Sequence, residues 1–126
     1  MSKKLLITGC AGFIGYNLCI KMLKEGSTIL GVDNFSDAYS KLLKKARIEE
    51  LERFEAFSFL NIDLSEYQNY DLIEDSFDAV IHLAARAGVR QSFLNPEIYV
   101  KDNTIATANV ANYVNNKSIK KLILAS

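Results

Sequence analysis

The sequence predicts an α/β protein built on a doubly wound parallel sheet. Three observations carry that expectation. Apolar runs alternate along the chain with stretches of helical periodicity, the pattern of strand–helix–strand crossovers. The runs are near-continuous in Val, Ile and Leu, as strands buried on both faces must be. A glycine-rich turn, Gly9-Cys10-Ala11-Gly12-Phe13-Ile14-Gly15, joins the first run to the first helical stretch.

The elements follow in order. Lys4 to Thr8 reads as a short buried strand. Phe13 to Lys24 reads as a helix with apolar residues at 14, 18, 22 and 23, closed by Gly26. Thr28 to Val32 is the second strand. Tyr39 to Arg53 is a charged amphipathic helix, expected to bury Leu42, Leu43, Ala46 and Leu51. Ala56 to Ile62 is the third strand and Tyr67 to Glu74 a short helix. Asp78 to Leu83 is the fourth strand, apolar beyond Asp78 except for His82. Asn95-Pro96 opens the longest helix, with Asn as N-cap and Pro at the first helical position. Tyr99, Ala106, Val110 and Tyr113 mark its inner side to about Asn115. Lys120 to Ala125 is the fifth strand.

Composition limits the function classes. The 126 residues fit one domain; 49% are hydrophobic and 24% charged, ordinary for a globular chain. Fifteen basic residues balance fifteen acidic ones, so no basic face for nucleic acid is expected. Cys10 and Cys19 have neither redox nor metal-ligand spacing. Ile7-Thr8-Gly9-Cys10 has the look of a lipoprotein cleavage box, but only three residues separate Lys4 from Thr8. An export signal needs an apolar stretch of roughly 7–15 residues. No run approaches the roughly 18 apolar residues of a membrane span. A cytoplasmic setting is expected.

The glycine turn points to a dinucleotide. One glycine makes the tight turn, another admits the pyrophosphate to the backbone, and the last lets the helix pack closely. The pyrophosphate would sit at the helix N-terminus among unpaired N–H groups. Gly9, Gly12, Phe13, Ile14 and Gly15 are therefore candidate cofactor ligands. Asp33 ends the second strand eighteen residues after Gly15, near the offset of about 20 for a ribose-binding acid. A carboxylate there accepts from ribose hydroxyls and repels a 2′-phosphate. The nearest downstream base in sequence is Lys41, so NAD is expected over NADP.

These residues resemble the extended short-chain dehydrogenase/reductase family, the NAD-dependent sugar-nucleotide epimerases and dehydratases. Gly9 to Gly15, Asp33-Asn34-Phe35, Asp63-Leu64 and His82-Leu83-Ala84-Ala85 carry the resemblance. Ala84 to Ser92, followed by Asn95-Pro96, is similar to the UDP-glucuronate 4-epimerase branch. So is the helix from Ala38-Tyr39 to Lys45-Ala46-Arg47. The resemblance implies a Rossmann-like sheet of about five strands in the order 3-2-1-4-5. It implies that Asn34 belongs to the cofactor site, that Asp63 and Leu64 flank the adenine, and that Leu83, Ala84, Ala85 and Asn103 complete the site. It makes Arg86, Arg90 and Ser92 candidate contacts to a nucleotide sugar, arginine being suited to carboxylate or diphosphate. Ala106 stands where the family commonly has glycine. His82, the sole histidine, is read as a packed or hydrogen-bonded side chain.

The family's chemistry uses a Ser or Thr after the fifth strand and a Tyr-x-x-x-Lys on the next helix. Neither is expected in this chain, which is read as truncated before the catalytic helix; no residue in it is assigned a catalytic role. Tyr113-Val114-Asn115-Asn116-Lys117 has the spacing but precedes the fifth strand, so it is read as coincidence. The expectation is one NAD-binding domain, residues 1–126, without the substrate domain and inactive alone. A free-standing nucleotide-binding or regulatory module, or a non-binding remnant of an interrupted gene, are the alternatives. Ending after the fifth strand leaves an open sheet edge, so self-association is expected.

Overall fold

The computed structural model describes residues 3–35, 41–73, 76–85 and 93–125. Five parallel strands are joined by helical crossovers: β1 (Lys4–Thr8), α1 (Phe13–Lys24), β2 (Thr28–Asp33), α2 (Lys41–Leu51) and β3 (Phe57–Asn61). A 3₁₀ turn (Tyr67–Leu72), β4 (Ala79–His82), one long helix and β5 (Leu122–Leu124) complete the chain. The sheet order is β3-β2-β1-β4-β5, the expected one. β1 lies between β2 and β4, with Thr8 opposite Val32 on one side and His82 on the other.

Strand residues alternate between two apolar layers. Leu6, Leu30, Val32 and Val80 pack with Val110, Tyr113 and Val114 of the long helix. Leu5, Ile7, Ile29 and Ala79 pack with Cys19 and Leu23 of α1 and with Ile48 and Leu51 of α2. Continuous apolar strands follow from this, because successive side chains enter opposite layers and both are buried. Tyr113, at 1% exposed, is a core residue. Its ring meets that of Tyr70, 5.7 Å between centroids, and this is the role of the tyrosine in the coincidental Tyr-x-x-x-Lys.

Several expected details change. α2 buries Lys44, Ile48 and Leu51, whereas Leu42 is 80% exposed and Leu43 and Ala46 also lie outward. The helix turns its 44-48-51 stripe to the sheet, so a lysine takes an inner position. Ile14 of α1 is exposed, and Gly15, Cys19 and Leu23 form its inner stripe. The segment from Tyr67 is a 3₁₀ turn and not an α-helix. The long helix has three consecutive parts: α-helical Pro96–Tyr99, π-helical Val100–Ile105 and α-helical Ala106–Asn116. Pro96 holds the first position, but the Asn95 side chain makes no capping hydrogen bond. Tyr39, expected in the second helix, lies outside the described residues.

Candidate nucleotide site

The glycine turn is fixed by backbone contacts. Gly9 has φ +73°, a left-handed conformation that favours glycine. Its N–H and that of Cys10 both reach the Val32 carbonyl, at 2.7 and 3.3 Å, and Gly12 N–H closes the turn on Gly9 O at 3.0 Å. A Cβ on Gly15 would overlap the Gly9 carbonyl, and one on Gly9 would stand 2.8 Å from Ala84 N. The first and third glycines thus bring the turn, the start of α1 and the end of β4 into direct backbone contact. Gly31 does related work: a Cβ there would stand 2.7 Å from Cys10 Sγ and 2.8 Å from the Phe57 ring.

No side chain caps α1, and no acidic residue lies in its first turn. Its leading N–H groups carry the positive end of the helix dipole, the arrangement that receives a phosphate. Burial pushes the Cys10 thiol well up, as it does the Cys19 thiol, to about 12. Both cysteines are free and buried, so they act as small apolar side chains.

Asp33 closes β2 and is buried. Its Oδ2 accepts from Ala11 N–H at 3.1 Å and its Oδ1 from Phe35 N–H at 2.8 Å. Lys44 Nζ stands 3.6 Å from Oδ1. The acid is therefore tied to the glycine turn by hydrogen bond and to α2 by charge. The base beside it is Lys44, not Lys41, the nearest base in sequence. A second α2 side chain, Arg47, donates to the Ala11 carbonyl at 3.0 Å and lies over the Tyr16 ring. Tyr16 in turn donates to Glu50. α2 clasps the outer side of the turn through these contacts.

The turn after β3 is held as firmly. Asp63 Oδ1 accepts from Ser65 N–H and Oγ–H at 2.9 and 2.7 Å. Partial burial alone would raise the Asp63 carboxyl; the Ser65 bonds and the Lys101 ammonium outweigh it and hold the group below its usual range. Lys101 Nζ lies 3.4 Å from Oδ2. Tyr70 Oη–H and Asn109 Nδ2–H both donate to the Leu64 carbonyl, at 2.8 and 3.0 Å.

At the end of β4, Thr8 Oγ1 meets His82 Nδ1 at 2.7 Å and also receives Leu83 N–H and Ala84 N–H. His82 Nε2 reaches Thr107 Oγ1 at 3.1 Å, and Thr107 donates to the Asn103 carbonyl at 2.6 Å. Asn103 lies in the π-helical part, where such turns often mark function.

The expected residues therefore gather at one edge. Gly9 to Gly15 follow β1, Asp33 ends β2 and Asn34 follows it, Asp63 and Leu64 follow β3, and Leu83 to Ala85 follow β4. Ligands of open parallel sheets bind at this carboxyl edge. Asn103 is joined to it through Thr107 and His82. Arg86, Arg90 and Ser92 lie outside the described residues. Sequence reasoning missed Lys44, Arg47, Lys101, Thr107 and Asn109. Lys44 had a signal, a charge in an apolar 44-48-51 stripe; the others act through contacts distant in sequence.

The sequence model of the NAD dependent epimerase/dehydratase family matches residues 5–126. The chain belongs to that family. Among the relatives of this epimerase/dehydratase domain is a UDP-glucuronate 4-epimerase of Thermodesulfobacterium geofontis. It is 47% identical over 123 residues, 96% of this chain and 38% of that protein. A solved mutant of UDP-glucuronic acid 4-epimerase from Bacillus cereus, in complex with a fluorinated UDP-glucuronic acid and NAD, superposes with TM-score 0.85 at 34% identity. That match covers 96% of this chain and 39% of that one. The UDP-Glc/GlcNAc 4-epimerase of Campylobacter jejuni gives TM-score 0.83 at 36% identity, covering 98% and 37%. The domain spans about two fifths of the length of these relatives. Among the described residues no helix is long and apolar enough to cross a membrane.

Proposed function

We propose that this chain is the NAD-binding portion of a nucleotide-sugar epimerase of the UDP-glucuronate 4-epimerase kind, working in the cytoplasm and without turnover by itself. The observation that carries the reading is Asp33. Its buried carboxylate holds the Ala11 amide of the glycine turn. An adenosine ribose laid against that turn meets an acceptor for its hydroxyls, and a 2′-phosphate meets a fixed negative charge.

The residues fit the dinucleotide. The uncapped N-terminus of α1 offers N–H donors to a pyrophosphate. Asp63 and Leu64, fixed by Ser65, Lys101 and Asn109, form the adenine side. Leu83, Ala84, Ala85 and Asn103 line the continuation toward the nicotinamide. NAD when bound supplies a hydride acceptor; the chain's own residues bind and orient it. Arg86, Arg90 and Ser92 follow β4 in sequence and take the nucleotide sugar through its acidic groups. No residue of this chain is assigned the proton-transfer step.

Calorimetric titration of the 126-residue chain tests this. Saturable binding of NAD is expected, with NADP bound more weakly and with affinity reduced in Asp33→Ala. Absence of NAD binding overturns the proposal. UDP-glucuronate incubated with the chain and NAD is expected to remain unepimerised; turnover would show that the chain carries its own catalytic groups.

A further inference from the structure

We infer that His82 is a positioning residue for the nucleotide site. Its Nε2–H tautomer orients the Thr8 hydroxyl so that one oxygen can hold both amides at the end of β4 against the glycine turn. The consequence for cofactor affinity rests on the NAD reading above; the proton arrangement does not.

Proton positions follow from counting donors and acceptors. A threonine hydroxyl has one proton and two lone pairs. Thr8 Oγ1 has three partners: Leu83 N at 3.0 Å, Ala84 N at 3.1 Å and His82 Nδ1 at 2.7 Å. Backbone amides only donate, so they occupy the lone pairs. The Thr8 proton must then point at Nδ1, which must be bare. The opposite side of the ring gives the same answer independently. Asn103 O only accepts, so the Thr107 proton is committed to it. Thr107 Oγ1 is left to accept from His82 Nε2–H.

This arrangement bears on the site because of what it holds. Leu83 and Ala84 are the backbone against which Gly9 lies without room for a Cβ. Leu83 N–H has the Thr8 carbonyl as a second acceptor at 3.3 Å, whereas Ala84 N–H relies on the hydroxyl. The far end of the relay fixes the carbonyl of Asn103. One imidazole thus ties together the glycine turn, the end of β4 and the π-helical part of the long helix.

A proton added at Nδ1 would set two donors face to face. Thr8 could accept from it only by releasing an amide. Among the described residues the hydrogen-bond partners of the ring are neutral: β1 presents Thr8 and the long helix presents Thr107, while Ala125 N–H, just after β5, reaches the His82 carbonyl. Burial is the cause that lowers the His82 pKa below its ordinary value. The bare-Nδ1 form is therefore kept at neutral pH and lost in acid.

The test is nitrogen NMR on the labelled 126-residue chain, with NAD titrations across pH. The ring nitrogens are expected to show the Nε2–H tautomer, and the Leu83 and Ala84 amide resonances to shift with the ring's titration. NAD affinity is expected to fall about tenfold as the ring protonates, the effect of one buried hydrogen bond. In His82→Asn, whose Oδ1 can stand near the Nδ1 position and does not titrate, that fall should vanish. Thr8→Ser, which keeps the hydroxyl, should retain it. An Nδ1–H tautomer, amides indifferent to the ring, or an undiminished pH effect in His82→Asn would overturn the inference. A chain that binds no NAD at any pH would overturn the cofactor reading instead, and the tautomer and amide results would still decide the role of His82.

Discussion

Lys44 and Asp33 form an ion pair inside the packing of α2 on the sheet, Nζ to Oδ1 3.6 Å, with the two side chains 7% and 6% exposed. Neither charge has much access to water, so the contact between them matters to both. Removing one partner of such a pair leaves an uncompensated charge and costs roughly 3–5 kcal/mol. Lys44→Met keeps the length of the side chain and removes its charge. It is expected to lower unfolding stability by about 3 kcal/mol in urea titrations, near the low end because Ala11 and Phe35 amides still serve the carboxylate. Adding Asp33→Asn should restore part of the loss. An unchanged midpoint in Lys44→Met would show that the pair does not hold α2.

Two glycine substitutions should separate packing from backbone strain. Gly15→Ala places a methyl into the Gly9 carbonyl, and overpacking of this kind costs about 3 kcal/mol. It should also abolish NAD binding, because relief requires α1 to move away from the turn. Gly26 has φ +95° and open space around it, so Gly26→Ala carries only a backbone cost of about 1 kcal/mol. It lies at the other end of α1 and should leave NAD affinity unchanged. Thermal melts and calorimetry on the two variants measure both quantities.

The fold was legible because its signals are local. Every strand announced itself as a short apolar run, and the alternation with helices fixed the crossovers. The turn from Gly9 to Gly15 and the acid at Asp33 were equally plain, since their chemistry depends on spacing along the chain. What escaped the sequence was rotation about helix axes. In α2, Leu42 and Leu43 looked like core, yet the Asp33 charge draws Lys44 inward and the two leucines turn out. The 3₁₀ turn at Tyr67 and the π-helical part from Val100 were also hidden; beside them Tyr70 Oη–H meets the Leu64 carbonyl and Thr107 links the Asn103 carbonyl to His82. The sequence predicts a packed or hydrogen-bonded His82, and it is one; its partners Thr8 and Thr107 are not found by spacing.

Asp63 should make the chain acid-sensitive. Its folded pKa lies below the usual carboxylate value because the Ser65 bonds and Lys101 outweigh burial. A group depressed in this way stabilises the fold fully above its unfolded pKa, about 3.9. That contribution is lost as pH falls through the folded pKa, since protons then bind the unfolded chain first. Asp63→Asn removes the titrating group. The variant is expected to be less stable than the parent at neutral pH and to show a shallower decline below about pH 4. Urea midpoints at several pH values compare the slopes, and equal slopes would deny Asp63 this part.

β5 pairs with β4 on one side and stands at the edge of the sheet. Ile123 and Leu124 are 47% and 49% exposed, and Ile98 and Ile105 add exposed apolar surface on the long helix. A strand that has no neighbour on its outer side among the described residues, and carries exposed apolar side chains, is a template for another chain. The 126-residue chain is therefore expected to elute as dimers or larger species in light-scattering chromatography. A charge on the edge strand opposes such pairing, so Ile123→Lys should shift the distribution toward monomer while leaving the melting temperature within a few degrees, as for a half-exposed position. A parent chain that is monomeric at high concentration would show that the edge is already protected.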